Sequence, residues 1–247
     1  MKKLTSIRKN YYDYLDSKAK YLASLLITHK KMTRLLLDYI EELYTSAKIE
    51  REFSNDFFKS SYHNPVTSEL EFLIARILYH YSIKKDLGWK IYLRSQVKKT
   101  APDIRIVKDN KTLALIEIKA KIGWMQVVFS QELFAKDLAI LKSGKNKYDP
   151  RVEIEKFKYQ INKHCKAHEV SKDRFFLFLP SLYEAHRRGS KYKVEDYEKD
   201  FIKNFSLPEE NFVLLSRNLE FEVGRGGQNV DYKSTDHFER MVQKIER

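Results

Sequence analysis

Apolar residues recur at helical spacing from the start of the chain. Leu4, Ile7, Tyr11, Tyr14, Leu15, Leu22, Leu25 and Leu26 form one stripe, and Leu35, Leu36, Tyr39, Ile40, Leu43 and Tyr44 a second. Residues 4 to about 58 therefore read as helical. Ser60 to Pro65 interrupts the pattern, and SELEFLIARILYHY predicts a third helix, with Ser68 and Glu71 spaced as a capping box. After Gly88 the period changes to two. WKIYLRSQV alternates as a strand, and Ile104 to Val107 and TLALIEIKA predict two more strands, joined by a KDNK turn. Residues 127–142 and 151–168 return to helical spacing. FFLFLP at 175–180 and NFVLLS at 211–216 are short apolar runs of the kind buried strands use, and helical patterns near 194–205 and 232–246 finish the chain. This mixed order with a hairpin predicts an α/β fold in which a mixed β-sheet is flanked by helices. Residues 1–60 form a helical N-terminal region in this reading, and 61–247 the domain that carries the sheet.

Composition narrows the function. Of 247 residues, 43% are hydrophobic, enough to bury a core and exclude global disorder. One cysteine, Cys165, excludes an intramolecular disulfide and a cysteine-rich zinc site. No stretch approaches the roughly 20 apolar residues of a membrane helix, and the N-terminus has no apolar signal core, so a cytoplasmic location without membrane attachment is expected. The formal charge of +13 draws polyanions, nucleic acid first among them.

The candidate chemistry lies in Pro102-Asp103, 13 intervening residues, then Glu117-Ile118-Lys119. On a strand, residues i and i+2 share a face, so Glu117 and Lys119 point one way while Ala114, Ile116 and Ile118 point into a core. An antiparallel hairpin turning near Asp109-Asn110 brings Asp103 towards Glu117. A two-residue turn alone sets Asp103 opposite Ile116, on the wrong face. A three-residue turn, or a bulge, sets it opposite Glu117. Two carboxylates and an ammonium on one face suit Mg2+, which takes hard oxygen ligands and keeps waters that substrate phosphate displaces. The alternative is a Glu117–Lys119 surface salt bridge, worth roughly 0–1 kcal/mol.

The run PDIRIVKDNKTLALIEIKA resembles the signature of the PD-(D/E)xK nuclease superfamily, with Asp103 as its first acid, Glu117 as its second and Lys119 as its lysine. The helix, three-strand, helix, strand order over about 68–180 is similar to that family's restriction-endonuclease-like core. The resemblance implies a further acid from the helix before the hairpin. Glu71, followed by Leu73, Ile74, Ile77 and Leu78, fits that role, with Glu69 the runner-up. It implies a Mg2+-dependent endonuclease cutting double-stranded DNA, most like a type II restriction endonuclease, with Asp103, Glu117 and Glu71 on the metal and a homodimer to cut both strands. The alternatives are a DNA repair or junction-resolving nuclease of the same fold and a non-catalytic nucleic-acid-binding protein.

Other residues carry weaker expectations. Lys98, Lys99 and Lys121 flank the site and are candidates for phosphate contacts. Trp124 and Gln126 follow the active strand, with a packed tryptophan the plainer reading. Gln160 lies on a helix where relatives of the resembled family carry a glutamine. His164 and His168 share a helical face, which reads as a solvated surface. GRGGQN at 224–229 lacks the context of a phosphate loop and reads as a connection.

Overall fold

The computed structural model describes residues 2–28, 32–57, 66–119, 150–181, 199, 202–203, 205–217 and 234–247. Among them, helices α1 (Lys2–Ile27), α2 (Thr33–Phe57) and α3 (Val66–Lys84) precede strands β1 (Lys90–Leu93), β2 (Ile104–Lys108) and β3 (Lys111–Ile118). Then come α4 (Pro150–His168), β4 (Phe175–Ser181), β5 (Phe212–Ser216) and α5 (His237–Glu246). The five strands form one sheet in chain order, β1–β2–β3 antiparallel and β3–β4–β5 parallel. The fold is thus α/β, with a mixed sheet between helices. None of the described helices is long and apolar enough to cross a membrane. Lys121, Trp124, Gln126, the 127–142 helix and GRGGQN lie outside the described residues.

Strand alternation divides the core in two. Ile104, Ile106, Ile116, Ile118, Phe176, Phe178, Val213 and Leu215 face a layer made by α1, α2, α3 and α5. Leu115, Phe175, Leu177, Leu179, Phe212 and Leu214 face the other way, against Phe157, Ile161 and Cys165 of α4. β4 contributes to both layers, which is why FFLFLP has no polar alternation. Each fully buried Phe contributes about 1.5–3 kcal/mol of transfer free energy. The N-terminal helices belong to the first layer. Glu239 of α5 secures their position, accepting from the backbone N–H groups of Met32 and Thr33 and from the Thr33 hydroxyl. It thereby caps α2 from a distance of 206 residues in the chain.

Three local features set up the site. First, the capping box does not form. α3 begins at Val66, so Ser68 and Glu71 lie inside the helix and both take bonds from Arg94 instead. Second, the β2–β3 turn has two residues, Asp109 and Asn110, both left-handed at φ 48° and 62°, the combination a type I′ turn requires. Lys108 faces Lys111 and Val107 faces Thr112, but Ile106 faces Ala114. Leu113 is therefore an extra residue, a β-bulge. It shifts the pairing so that Ile104 meets Ile116, and one residue further Asp103 comes opposite Glu117.

Third, β1 is shorter than WKIYLRSQV predicts. It ends at Leu93, and Arg94 turns away with φ 48°. The excursion from 94 to 103 closes with Arg94 N–H on the Asp103 carbonyl at 2.9 Å. Within it, Val97 and Thr100 exchange both backbone hydrogen bonds around Lys98 and Lys99. Those lysines have φ 47° and 63°. Left-handed geometry costs a residue with a Cβ on the order of 1–2 kcal/mol.

Candidate active site

Asp103, Glu117 and Lys119 meet where β2 begins and β3 ends. The Asp103 carboxylate accepts from the Ile118 backbone N–H at 2.7 Å, which fixes it across the strand pair. Lys119 Nζ donates to Glu117 Oε1 at 2.7 Å and lies 5.3 Å from the Phe157 ring centre. Its own N–H bonds the Phe178 carbonyl at 2.9 Å, so the parallel pairing with β4 holds the lysine backbone just past the strand. Gln160 of α4 donates a second bond to Glu117 Oε1 at 3.1 Å. Glu117 Oε2 is buried and has no hydrogen-bond partner among the described residues.

Glu71 comes from α3 and is 2% exposed. Arg94 grips it in a fork, Nε to Oε2 at 2.6 Å and Nη2 to Oε1 at 2.9 Å. The charge of Glu71 nonetheless reaches Asp103. Burial, then Glu117, then Glu71 push the Asp103 carboxyl from the ordinary carboxylate range up to about 7, against the Ile118 N–H and Lys119. Of the two helix acids weighed from the sequence, Glu71 is the one whose field acts on Asp103 in this way, while Glu69 adds to the field on Arg94. Among the described residues, no three His, Cys, Asp or Glu side chains are grouped to hold a metal ion. The third acid is committed to arginine. Arg94 is the residue that sequence reasoning missed, because one arginine after a strand carries no periodic signal.

The two histidines of α4 are not a solvated face. His164 and His168 are both buried, with rings stacked at 6.4 Å and 29°. Gln160, His164 and His168 follow each other at i, i+4 and i+8, beside the Phe157–Ile161–Cys165 stripe that packs on the sheet. Burial drives both imidazoles towards the neutral form, His168 down to about 4. The Thr100 hydroxyl donates to the Val97 carbonyl at 2.9 Å, so at 3.1 Å it accepts from His168 Nε2–H. Lys98 reaches Glu169 at 3.2 Å, both largely in solvent.

Breaking the Arg94–Glu71 fork has a predictable cost. Arg94→Ala leaves a buried carboxylate without its partner, which destabilises by about 3 kcal/mol, the lower end of the range for buried pairs because Arg94 is itself 52% exposed. Glu71→Gln in the Arg94→Ala background recovers most of that loss in urea denaturation. A single Arg94→Ala variant as stable as wild type contradicts this account of the fork.

Comparison with known proteins gives no kinship to build on: no family model matches the chain, and no curated protein or solved structure matches it either.

Proposed function

We propose that this chain is a magnesium-dependent endonuclease acting on DNA, most like a type II restriction endonuclease, with a restriction-endonuclease-like core. The observation that carries the reading is the meeting of Asp103, Glu117 and Lys119 on one face of the hairpin end, with a buried carboxylate oxygen left over. The donor set fits a hard divalent cation. Burial and then the charge of Glu117 raise the Asp103 carboxyl to about 7, and Glu117 Oε2 lacks a donor among the described residues. Two carboxylates with waters are a common Mg2+ complement. Asp103 and Glu117 would hold the ion, and Glu71, gripped by Arg94, would add charge from behind. When bound, Mg2+ would polarise the phosphoryl oxygen and offset charge on the leaving oxygen.

The rest of the chemistry belongs to this chain's side chains. Lys119 Nζ sits on Glu117 Oε1, where it can orient a water or meet the negative charge that develops on the phosphoryl oxygens. Gln160 holds the same oxygen from the helix side and keeps the carboxylate plane in place. Asp103 must shed its proton to bind a cation, so ion binding strengthens as pH rises through 7. The surplus of 47 Lys and Arg over 34 Asp and Glu favours a polyanionic substrate. With one site per chain, a homodimer in the cytoplasm cutting both strands completes the proposal.

Supercoiled plasmid tests it. Nicked or linear product is expected with Mg2+ and intact plasmid with EDTA. Plasmid intact under both conditions at micromolar protein ends the nuclease reading. Branched substrates cut faster than linear duplex favour the junction-resolving alternative.

A further inference from the structure

Two left-handed two-residue turns stand in this sheet region, and they are built from different residues. The β2–β3 turn uses Asp109 and Asn110, side chains that tolerate positive φ. The turn at 97–100 uses Lys98 and Lys99, which do not. Strained geometry of this kind persists where surrounding bonds hold it, and it clusters at sites of function. The bonds are present. Val97 N–H and Thr100 N–H each reach the other's carbonyl, at 2.8 and 2.9 Å, and Thr100 accepts from buried His168 at 3.1 Å. Burial keeps that imidazole neutral at ordinary pH, so the anchor persists. Both lysines are exposed. Beside them, Arg105 lies 4.6 Å from the Tyr92 ring centre and donates to Ser95 at 3.3 Å. Arg105 stands two residues from Asp103, on the same face of β2.

We infer that the Lys98–Lys99 turn is a rigid phosphate-contacting element, placed to hold the sugar–phosphate backbone of a nucleic acid beside Asp103. Its location relative to a cutting site rests on the nuclease reading, but its binding role does not. A flexible lysine loses side-chain and backbone freedom when it grips phosphate, whereas a turn already closed by four hydrogen bonds keeps that loss to the side chains. The Lys98–Glu169 pair is mostly in solvent, so phosphate can take the place of the glutamate at little cost.

The test is binding of a 30-base-pair duplex in EDTA by the full chain. K98N/K99G keeps the turn with residues that suit it, so its melting temperature is expected to rise by roughly 2–4 °C. Duplex affinity is expected to fall roughly ten-fold or more, and the plot of log affinity against log salt to flatten by about two, near one unit per lost phosphate contact. K98R/K99R should keep wild-type affinity. K108N/K111T removes the same charge at the other end of the hairpin, roughly 17 Å from Asp103 by strand rise, and should change binding far less. Wild-type affinity and salt slope in K98N/K99G overturn the inference. So does an equal loss in K108N/K111T, which makes net charge the cause, and so does displacement of the duplex by poly-aspartate as efficient as by unlabelled duplex. Turn-dependent binding by a protein that never cuts plasmid supports the inference while the nuclease reading falls. Cutting with turn-independent binding overturns the inference alone.

Discussion

Lys119→Ala is expected to slow single-turnover DNA cleavage by roughly 10²–10³-fold while leaving metal-free DNA affinity close to wild type. The lysine donates to Glu117, and in the proposed reaction its loss removes one cation facing the reacting phosphate. Interactions with a developing charge are stronger in the transition state than in the ground state, and their loss shows in the chemical step. DNA affinity draws on many contacts across a chain of charge +13, of which this is one. Glu117 Oε1 still receives Gln160, so the carboxylate does not lose its last donor. Rapid-quench cleavage beside a binding titration in EDTA separates the two effects. Cleavage at the wild-type rate rules out this active site.

Asp103→Asn is expected to stop cleavage and at the same time to make the protein more stable above neutral pH. The sign follows from the direction of the shift. The folded carboxyl is raised to about 7, above its value in the unfolded chain, so the folded state binds the proton more tightly. Its contribution to stability is fully present below the unfolded value, near 4, and is lost as pH rises through about 7. At pH 8 the wild type therefore holds an ionised Asp103 against burial, Glu117 and Glu71. Asparagine removes that charge, still accepts from the Ile118 N–H, and turns an amide donor towards the site. The gain at pH 8 is on the order of 2 kcal/mol, discounted from the full linkage because Asp103 keeps some exposure to solvent. Near pH 4 the two proteins should unfold alike. Mg2+ should raise the melting temperature of the wild type at pH 8 and not that of Asp103→Asn. A variant less stable than wild type at pH 8 contradicts the crowded-acid account.

The elements of this fold were legible because each buries its apolar face in one period. The Leu15–Leu22–Leu26 stripe, the alternation of β3 and the unbroken FFLFLP run each have one reading. Asp103, Glu117 and Lys119 were legible by the parity of a strand, down to the requirement for an odd turn or a bulge. Which of the two occurs was not legible, since a two-residue turn followed by Leu113 as an extra residue and a three-residue turn put the same residues opposite each other. Arg94 and the 97–100 turn escaped for a different reason. Their conformations depend on bonds to Glu71 and His168, 23 and 68 residues away, and local pattern carries no trace of such partners. The histidines misled because a polar ring at helical spacing looks solvated until the sheet beside it is known.

The Leu113 bulge gives the hairpin a frame, much as a single inserted letter resets a reading frame. Were Leu113 to pair with Ile106 instead of bulging, every residue beyond it would pair one step out of phase, and Asp103 would fall opposite Ile116, on the phase that serves the apolar layer of α1, α2, α3 and α5. The site would be lost though none of its residues had changed. A turn widened to three residues, 109–111, would restore the phase with Leu113 paired to Val107. Bulge and tip are thus interchangeable places for the one odd residue among the 13 that separate Asp103 from Glu117.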